Sequence, residues 1–202
     1  MKTIALFLIT FSILKTQAQD WSAIQKSFST SYSLETAGKY DGAASEILRI
    51  YKEDSYEINL RLGWLHYLAG HFNESEGYYQ KAIKIAPKAL EPMLGIVYPL
   101  SAQNKWDEVV KQYQNILLLD PKNTTVNYRM GMIQYTRKDY KTAKNFFSTV
   151  LNLYPFDYDA TLMLGWCEYQ LGSNSEAKTL FQKALVARPG DKSATEGLGL
   201  IK

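Results

Sequence analysis

The sequence predicts an all-α chain, a solenoid of antiparallel helix pairs. Three observations predict it. Pro87, Pro121, Pro155 and Pro189 stand 34 residues apart. Gly131, Gly165 and Gly199 keep the same step. Residues 60–87, LRLGWLHYLAGHFNESEGYYQKAIKIAP, read as helix, tight turn, helix, stop. A fixed period of this length marks stacked helical hairpins, each of which buries its apolar face only against its neighbours.

Residues 1–19 are expected to be a secretory signal peptide. Lys2 gives a positive start, and residues 4–14 (IALFLITFSIL) form an apolar run. That run falls short of the roughly 20 residues a membrane-spanning helix needs. Thr16-Gln17-Ala18 supplies small residues where a cleavage enzyme reads them, so cutting is expected after Ala18. No cysteine follows the run, which excludes lipid attachment there. The mature chain is therefore expected in the periplasm, the cell envelope or the exterior, with no integral membrane span.

Residues 20–202 are expected to form one repeat domain. With the periodic proline set at position 32, repeats span 24–55, 56–89, 90–123, 124–157 and 158–191, with a partial one at 192–202. In the second repeat, Gly70 stops the first helix by taking a left-handed backbone. Asn73 reads as the cap of the next helix, with Glu76 as its reciprocal partner. The first repeat has Ser55 in place of the proline. The third is irregular, because Pro99 falls inside its first helix and removes the bond to the Gly95 carbonyl. A kink or an early helix start is expected there.

Position 8 holds Gly63, Gly131, Gly165 and Gly199, with Ser31 and Val97 as exceptions. A helix-interior glycine costs about 1 kcal/mol relative to alanine, so its recurrence implies close packing. Position 20 is small in Ala43, Ser75, Ala143 and Ala177. Position 24 is large throughout: Ile47, Tyr79, Tyr113, Phe147 and Phe181. Both positions lie on one face of the second helix.

Leu-Gly at 7–8 (62–63, 164–165, 198–199), the aromatic at 24 and the proline at 32 together resemble the tetratricopeptide repeat. The resemblance covers almost all of the chain after the leader and implies a right-handed superhelical solenoid. It also implies a concave groove lined by positions 5, 9 and 12 of each first helix. Two positions depart from the family. Position 4 is Asn59, Met93, Asn127 and Thr161 instead of an aromatic, and position 11 is His66, Leu100, Gln134 and Glu168 instead of tyrosine. Looser or rearranged packing is expected at both.

The implied groove residues are Phe28, Leu60, Leu94, Tyr128 and Leu162 at position 5, and Tyr32, Trp64, Tyr98, Met132 and Trp166 at position 9. At position 12, Tyr67, Tyr135 and Tyr169 follow Glu35. Glu57, Glu91 and Asp159 at position 2 edge the stripe with negative charge. Two arrangements satisfy this spacing: an open groove, or a tightly curved solenoid closed by its own rings. An exposed apolar stripe of this size marks a contact surface.

Charge and composition narrow the partners. With Lys2 and Lys15 set aside, the chain carries 21 bases against 20 acids, and no basic stripe is visible. That excludes a nucleic-acid footprint. The family's carboxylate clamp needs lysine and asparagine or arginine on the groove face, where this chain has rings, leucine and acids. An apolar to mildly basic protein segment fits better. Two other partners are consistent with the same residues. A glycan could stack on the rings, although sugar sites need more polar company. A second copy could stack on the last helix, expected at 193–202, whose Leu198, Leu200 and Ile201 leave an apolar end where terminal repeats ordinarily carry a polar cap.

Catalysis finds little support. His66 and His71 lack a zinc-binding spacing. His66 reads as a half-buried, hydrogen-bonded residue, and Cys167 as a small core residue. The glycines recur at the repeat period, not within a phosphate loop, so no cofactor or metal is expected. Asn73-Glu74-Ser75 and Asn123-Thr124-Thr125 match the N-glycosylation pattern.

Overall fold

The computed structural model describes residues 21–201. The expected leader and its cleavage site lie outside the described residues. Among these residues there are twelve helices. First helices of successive pairs are α1 (Trp21–Thr36), α3 (Tyr56–Leu68), the broken α5 (Leu90–Gly95) and α6 (Val97–Ala102), α8 (Thr124–Thr136) and α10 (Tyr158–Gln170). Their partners are α2 (Tyr40–Leu48), α4 (Phe72–Ile85), α7 (Trp106–Leu119), α9 (Tyr140–Leu153) and α11 (Asn174–Ala187). A last helix, α12 (Lys192–Leu200), stands without a partner. The architecture is a right-handed solenoid of antiparallel helix pairs.

The helix starts follow from local chemistry. Ser55, Asn123, Asp157 and Asp191 cap α3, α8, α10 and α12, each side chain accepting from the backbone N–H three residues on. These contacts satisfy donors that the first turn leaves open. Ala89, before α5, offers no such oxygen. Each hairpin turn holds one left-handed residue. Gly70 does so at φ +81, as expected, whereas Asn104 and Lys138 fill that role in the third and fourth pairs.

The capping role expected for Asn73 is not found. Helix α4 begins at Phe72 behind His71, and no side chain caps it. The turn closes instead through the backbone, with His71 N–H donating to the His66 carbonyl at 2.8 Å. Glu76 turns inward, where its Oε1 accepts from Lys105 Nζ at 2.7 Å and from Gln103. The ion pair ties α4 to the turn before α7 and so outcompetes a capping box.

The third pair breaks where expected. α5 ends at Gly95 and α6 starts at Val97. Proline at 99 has no N–H for the Gly95 carbonyl, while Ile96 N–H still reaches Pro92 O at 3.0 Å.

The recurring glycines make room for rings. A Cβ on Gly63 would lie 2.9 Å from the Tyr79 ring, and one on Gly131 would lie 2.7 Å from Phe147. Phe181 meets Gly165 in the same way. A second glycine contact was not expected: Gly95 on α5 and Gly197 on α12 also press on the Tyr79 and Phe181 rings. Gly199, by contrast, meets nothing within 4 Å, since among the described residues no second helix follows α12. Phe147 and Phe181 are wholly buried and form the cores of their pairs.

Position 4 is rearranged rather than loose. Asn59 is fully buried, and its Nδ2 donates to the carbonyls of Glu53 and Ser55 at 2.9 and 2.7 Å. Asn127 does the same for Pro121 and Asn123 at 3.1 and 2.9 Å. The asparagines thus staple the loops between repeats, and the loop carbonyls satisfy amide groups that are themselves buried.

Candidate functional site: an aromatic cleft on the first three pairs

A cleft of about 920 Å³ opens along α1, α3, α5 and α6. Phe28, Tyr32, Leu60, Trp64, Leu94 and Tyr98 line it, all of them residues expected on the groove face. Tyr32 and Tyr98 are 54% and 51% exposed, so their rings are available to a partner. Tyr67, also expected on the groove face, does not line the cleft but backs two rings that do, 5.6 Å from Trp64 and 5.3 Å from Tyr98. Trp64 stands edge-on to Tyr98 at 5.9 Å. Such tilted arrangements favour aromatic pairs beyond simple area burial.

The stripe does not run open along the whole solenoid. Tyr128 packs edge-on against Phe147 at 5.6 Å, and Met132 joins the same cluster. Tyr135 is edge-on to Tyr140 at 5.2 Å. Trp166 lies 5.0 Å from Phe181, with Tyr169 and Leu162 in the same cluster. These six residues are half-buried on the protein's own core and do not line the cleft. The expected stripe is thus divided: six of its residues line the cleft over the first three pairs, and six beyond it rest half-buried on the cores of the later pairs.

A buried network holds the cleft wall. Arg61 is 7% exposed. Its Nε and Nη2 donate to Ser31 Oγ at 3.2 and 3.0 Å, and its Nη1 donates to Glu35 Oε2. The guanidinium also sits 4.0 Å above the Tyr32 ring. The other oxygen of Glu35 accepts from Trp64 Nε1 at 2.7 Å. One carboxylate thus fixes both a cation and an indole, across α1 and α3. Sequence reasoning missed Arg61. The available signal was Ser31, a hydroxyl standing where most other pairs have glycine. It serves the arginine of the next pair, and Ile47 fills the space a ring takes elsewhere.

The rim is acidic. Glu57 and Glu91 line the cleft, and Tyr56 Oη donates to Glu91 Oε2 at 3.2 Å. Burial, and then the Glu91 charge, push the Tyr56 hydroxyl up to about 12. Arg61 is the one cation among the lining residues, and Glu35 neutralises it. Two rim carboxylates remain uncompensated.

The residues considered for chemistry lie elsewhere. Cys167 is fully buried on α10, and burial pushes its thiol up to about 12, away from the reactive thiolate. His66 stacks on Tyr78 at 5.1 Å. Contrary to expectation, neither of its ring nitrogens has a hydrogen-bond partner. Among the described residues, no group of three or more metal-ligating side chains converges, and no helix is long and apolar enough to cross a membrane.

Sequence families supply the remaining observation. Two models, both described as tetratricopeptide repeat, match residues 56–89 and 134–198. Those two stretches match tetratricopeptide repeats. Among curated proteins, RNA polymerase-associated protein CTR9 of Caenorhabditis elegans is 30% identical over 99 residues, covering 48% of this chain and 9% of that protein. Protein CTR9 homolog of Arabidopsis thaliana is 22% identical over 176 residues, covering 80% of this chain and 16% of that protein. The chain thus spans less than a fifth of either relative. Among solved structures, a tetratricopeptide repeat protein from Parabacteroides merdae superposes with a TM-score of 0.74 at 17% identity, covering 88% of this chain and 71% of that one. MamA from Desulfovibrio magneticus superposes at 0.64 and 20% identity, covering 72% and 82%. The two structural likenesses are of fold alone.

Proposed function

We propose that this chain is a non-catalytic scaffold that binds another protein. The partner's segment, apolar to mildly basic, lies in the aromatic cleft over α1, α3, α5 and α6. The setting proposed is the cell envelope or exterior, on the strength of the apolar leader with its small-residue cleavage signal. The observation that carries the binding reading is the cleft itself: half-exposed rings around about 920 Å³, on a wall fixed by the Glu35 network. Each ring covered by a partner contributes about 1.5–3 kcal/mol before ordering costs.

The experiment compares proteins co-purified from the source cells with the tagged parent, with Leu60→Asp/Tyr98→Ala in the cleft, and with Leu118→Ser. Leu118 is 82% exposed at the end of α7 and away from the cleft. A partner lost only from the cleft variant supports the reading. A partner retained by it, or none above the tag control, overturns it. Fractionation of the same cells, with sequencing of the mature N-terminus, tests export and cutting after Ala18.

A further inference from the structure

We infer that the segment accepted by the cleft carries two basic side chains, spaced to meet Glu57 and Glu91. The inference rests on the cleft being a protein-binding site and names the chemistry that site selects. It starts from charge. The cation in the wall, Arg61, is already matched by Glu35 and held on Ser31. The rim carboxylates have only neutral partners: Ser55 Oγ donates to Glu57 Oε2 at 3.1 Å, and the Tyr56 hydroxyl donates to Glu91. Both glutamates are exposed and keep their hydration while the cleft is empty.

Covering them changes that balance. A wholly apolar segment laid across the rings strips water from two carboxylates and returns nothing. An acidic segment adds repulsion. A segment with a lysine or arginine against each carboxylate replaces the lost hydration with charge-assisted hydrogen bonds. The rings of Tyr98 and Trp64, lining the same cleft, suit the aliphatic stem or the cation itself.

Geometry sets the spacing. Glu57 and Glu91 occupy the same position in consecutive pairs, in the first turns of α3 and α5. Packed helices lie about 8–10 Å apart. An extended chain in the polyproline II conformation turns once every three residues and advances about 3.1 Å per residue, so basic residues three apart share one face and span this distance. The occupant is therefore an extended apolar segment with two lysines or arginines at i and i+3.

Phage-displayed random dodecapeptides, panned separately on the parent chain, on Glu57→Gln/Glu91→Gln and on Leu60→Asp/Tyr98→Ala, test this. Synthetic copies of the winning peptides are then titrated by fluorescence anisotropy. The expected result is apolar peptides with paired basic residues from the parent, weakened about tenfold or more by the double glutamine variant and by high salt. They fail to bind the Leu60/Tyr98 variant. Circular dichroism of each variant confirms that the helices persist. Peptides that lose binding to the Leu60/Tyr98 variant but carry no basic bias overturn the charge inference and leave the cleft reading standing. Peptides that bind all three proteins alike, or no enrichment at all, overturn both.

Discussion

The Tyr79 ring sits against Gly63 of its own helix pair, where a Cβ would come within 2.9 Å of it, and against Gly95 of the next pair, where a Cβ would come closer still. One ring thereby joins α3, α4 and α5, the elements beneath the cleft. An added methyl at either glycine has to displace a ring that is 2% exposed and has nowhere to move. Gly63→Ala and Gly95→Ala are each expected to destabilise the chain by about 1–3 kcal/mol. Gly77→Ala provides the contrast. Gly77 lies within α4, and nothing stands within 4 Å of its would-be Cβ. That change is expected to stabilise by about 0.5–1 kcal/mol through helix propensity. Urea unfolding followed by circular dichroism measures all three.

The Arg61 network gives a second prediction. Removing one partner of a buried ion pair strands the other charge. Glu35 keeps about a quarter of its side-chain surface, 23%, so solvent tempers the loss. Arg61→Ala and Glu35→Gln are each expected to cost about 2–4 kcal/mol, the first by leaving a part-exposed carboxylate and the lost packing of the arginine, the second by stranding the buried guanidinium. The double variant should cost less than the two single changes added together, a coupling that a double-mutant cycle reads directly. Fluorescence of a variant retaining Trp64 as its one tryptophan should also change on Glu35→Gln, since the indole N–H loses an ionised acceptor.

How much of this was legible in the sequence differs between fold and site. The period of prolines and glycines gives the hairpins and their stacking, because each recurs in register. Gly95 and Gly197 escaped notice because their position holds Arg61, Arg129 and Met163 in other pairs, so no column of glycines forms there. The stripe of rings was visible, but its partition was not. Whether a ring such as Trp166 meets solvent or Phe181 depends on curvature between pairs, which residue spacing does not encode. Asn73 misled because a good capping residue standing beside a glycine turn reads as a cap, while Lys105, from the next repeat, draws Glu76 inward.

A pH dependence follows from His66. Burial lowers its pKa from the usual 6.5, and His71 adds to that, against smaller opposing effects of Glu74 and Asp41. The unfolded chain therefore takes up this proton at higher pH than the folded chain does. The stabilising difference is complete above 6.5 and is lost as pH falls through and below that value. The urea midpoint should fall more steeply from about pH 7 to about pH 5 in the parent than in His66→Phe, which keeps a ring against Tyr78.

The lone thiol offers a fourth check. With Cys167 buried and its thiol pushed up to about 12, a disulfide reagent at mildly alkaline pH should not modify the folded chain. Modification should track unfolding in urea. Rapid labelling without denaturant would show that α10 opens locally.

The most direct test of the account places a photo-reactive p-benzoylphenylalanine at Tyr98, and separately at Phe156 outside the cleft, in the full chain in its source cells. Mass spectrometry then locates any cross-link on the partner. The account predicts a cross-link from position 98 to an apolar segment with basic residues, lost when Glu57→Lys/Glu91→Lys is introduced. A partner captured from position 156 and never from position 98 would contradict it.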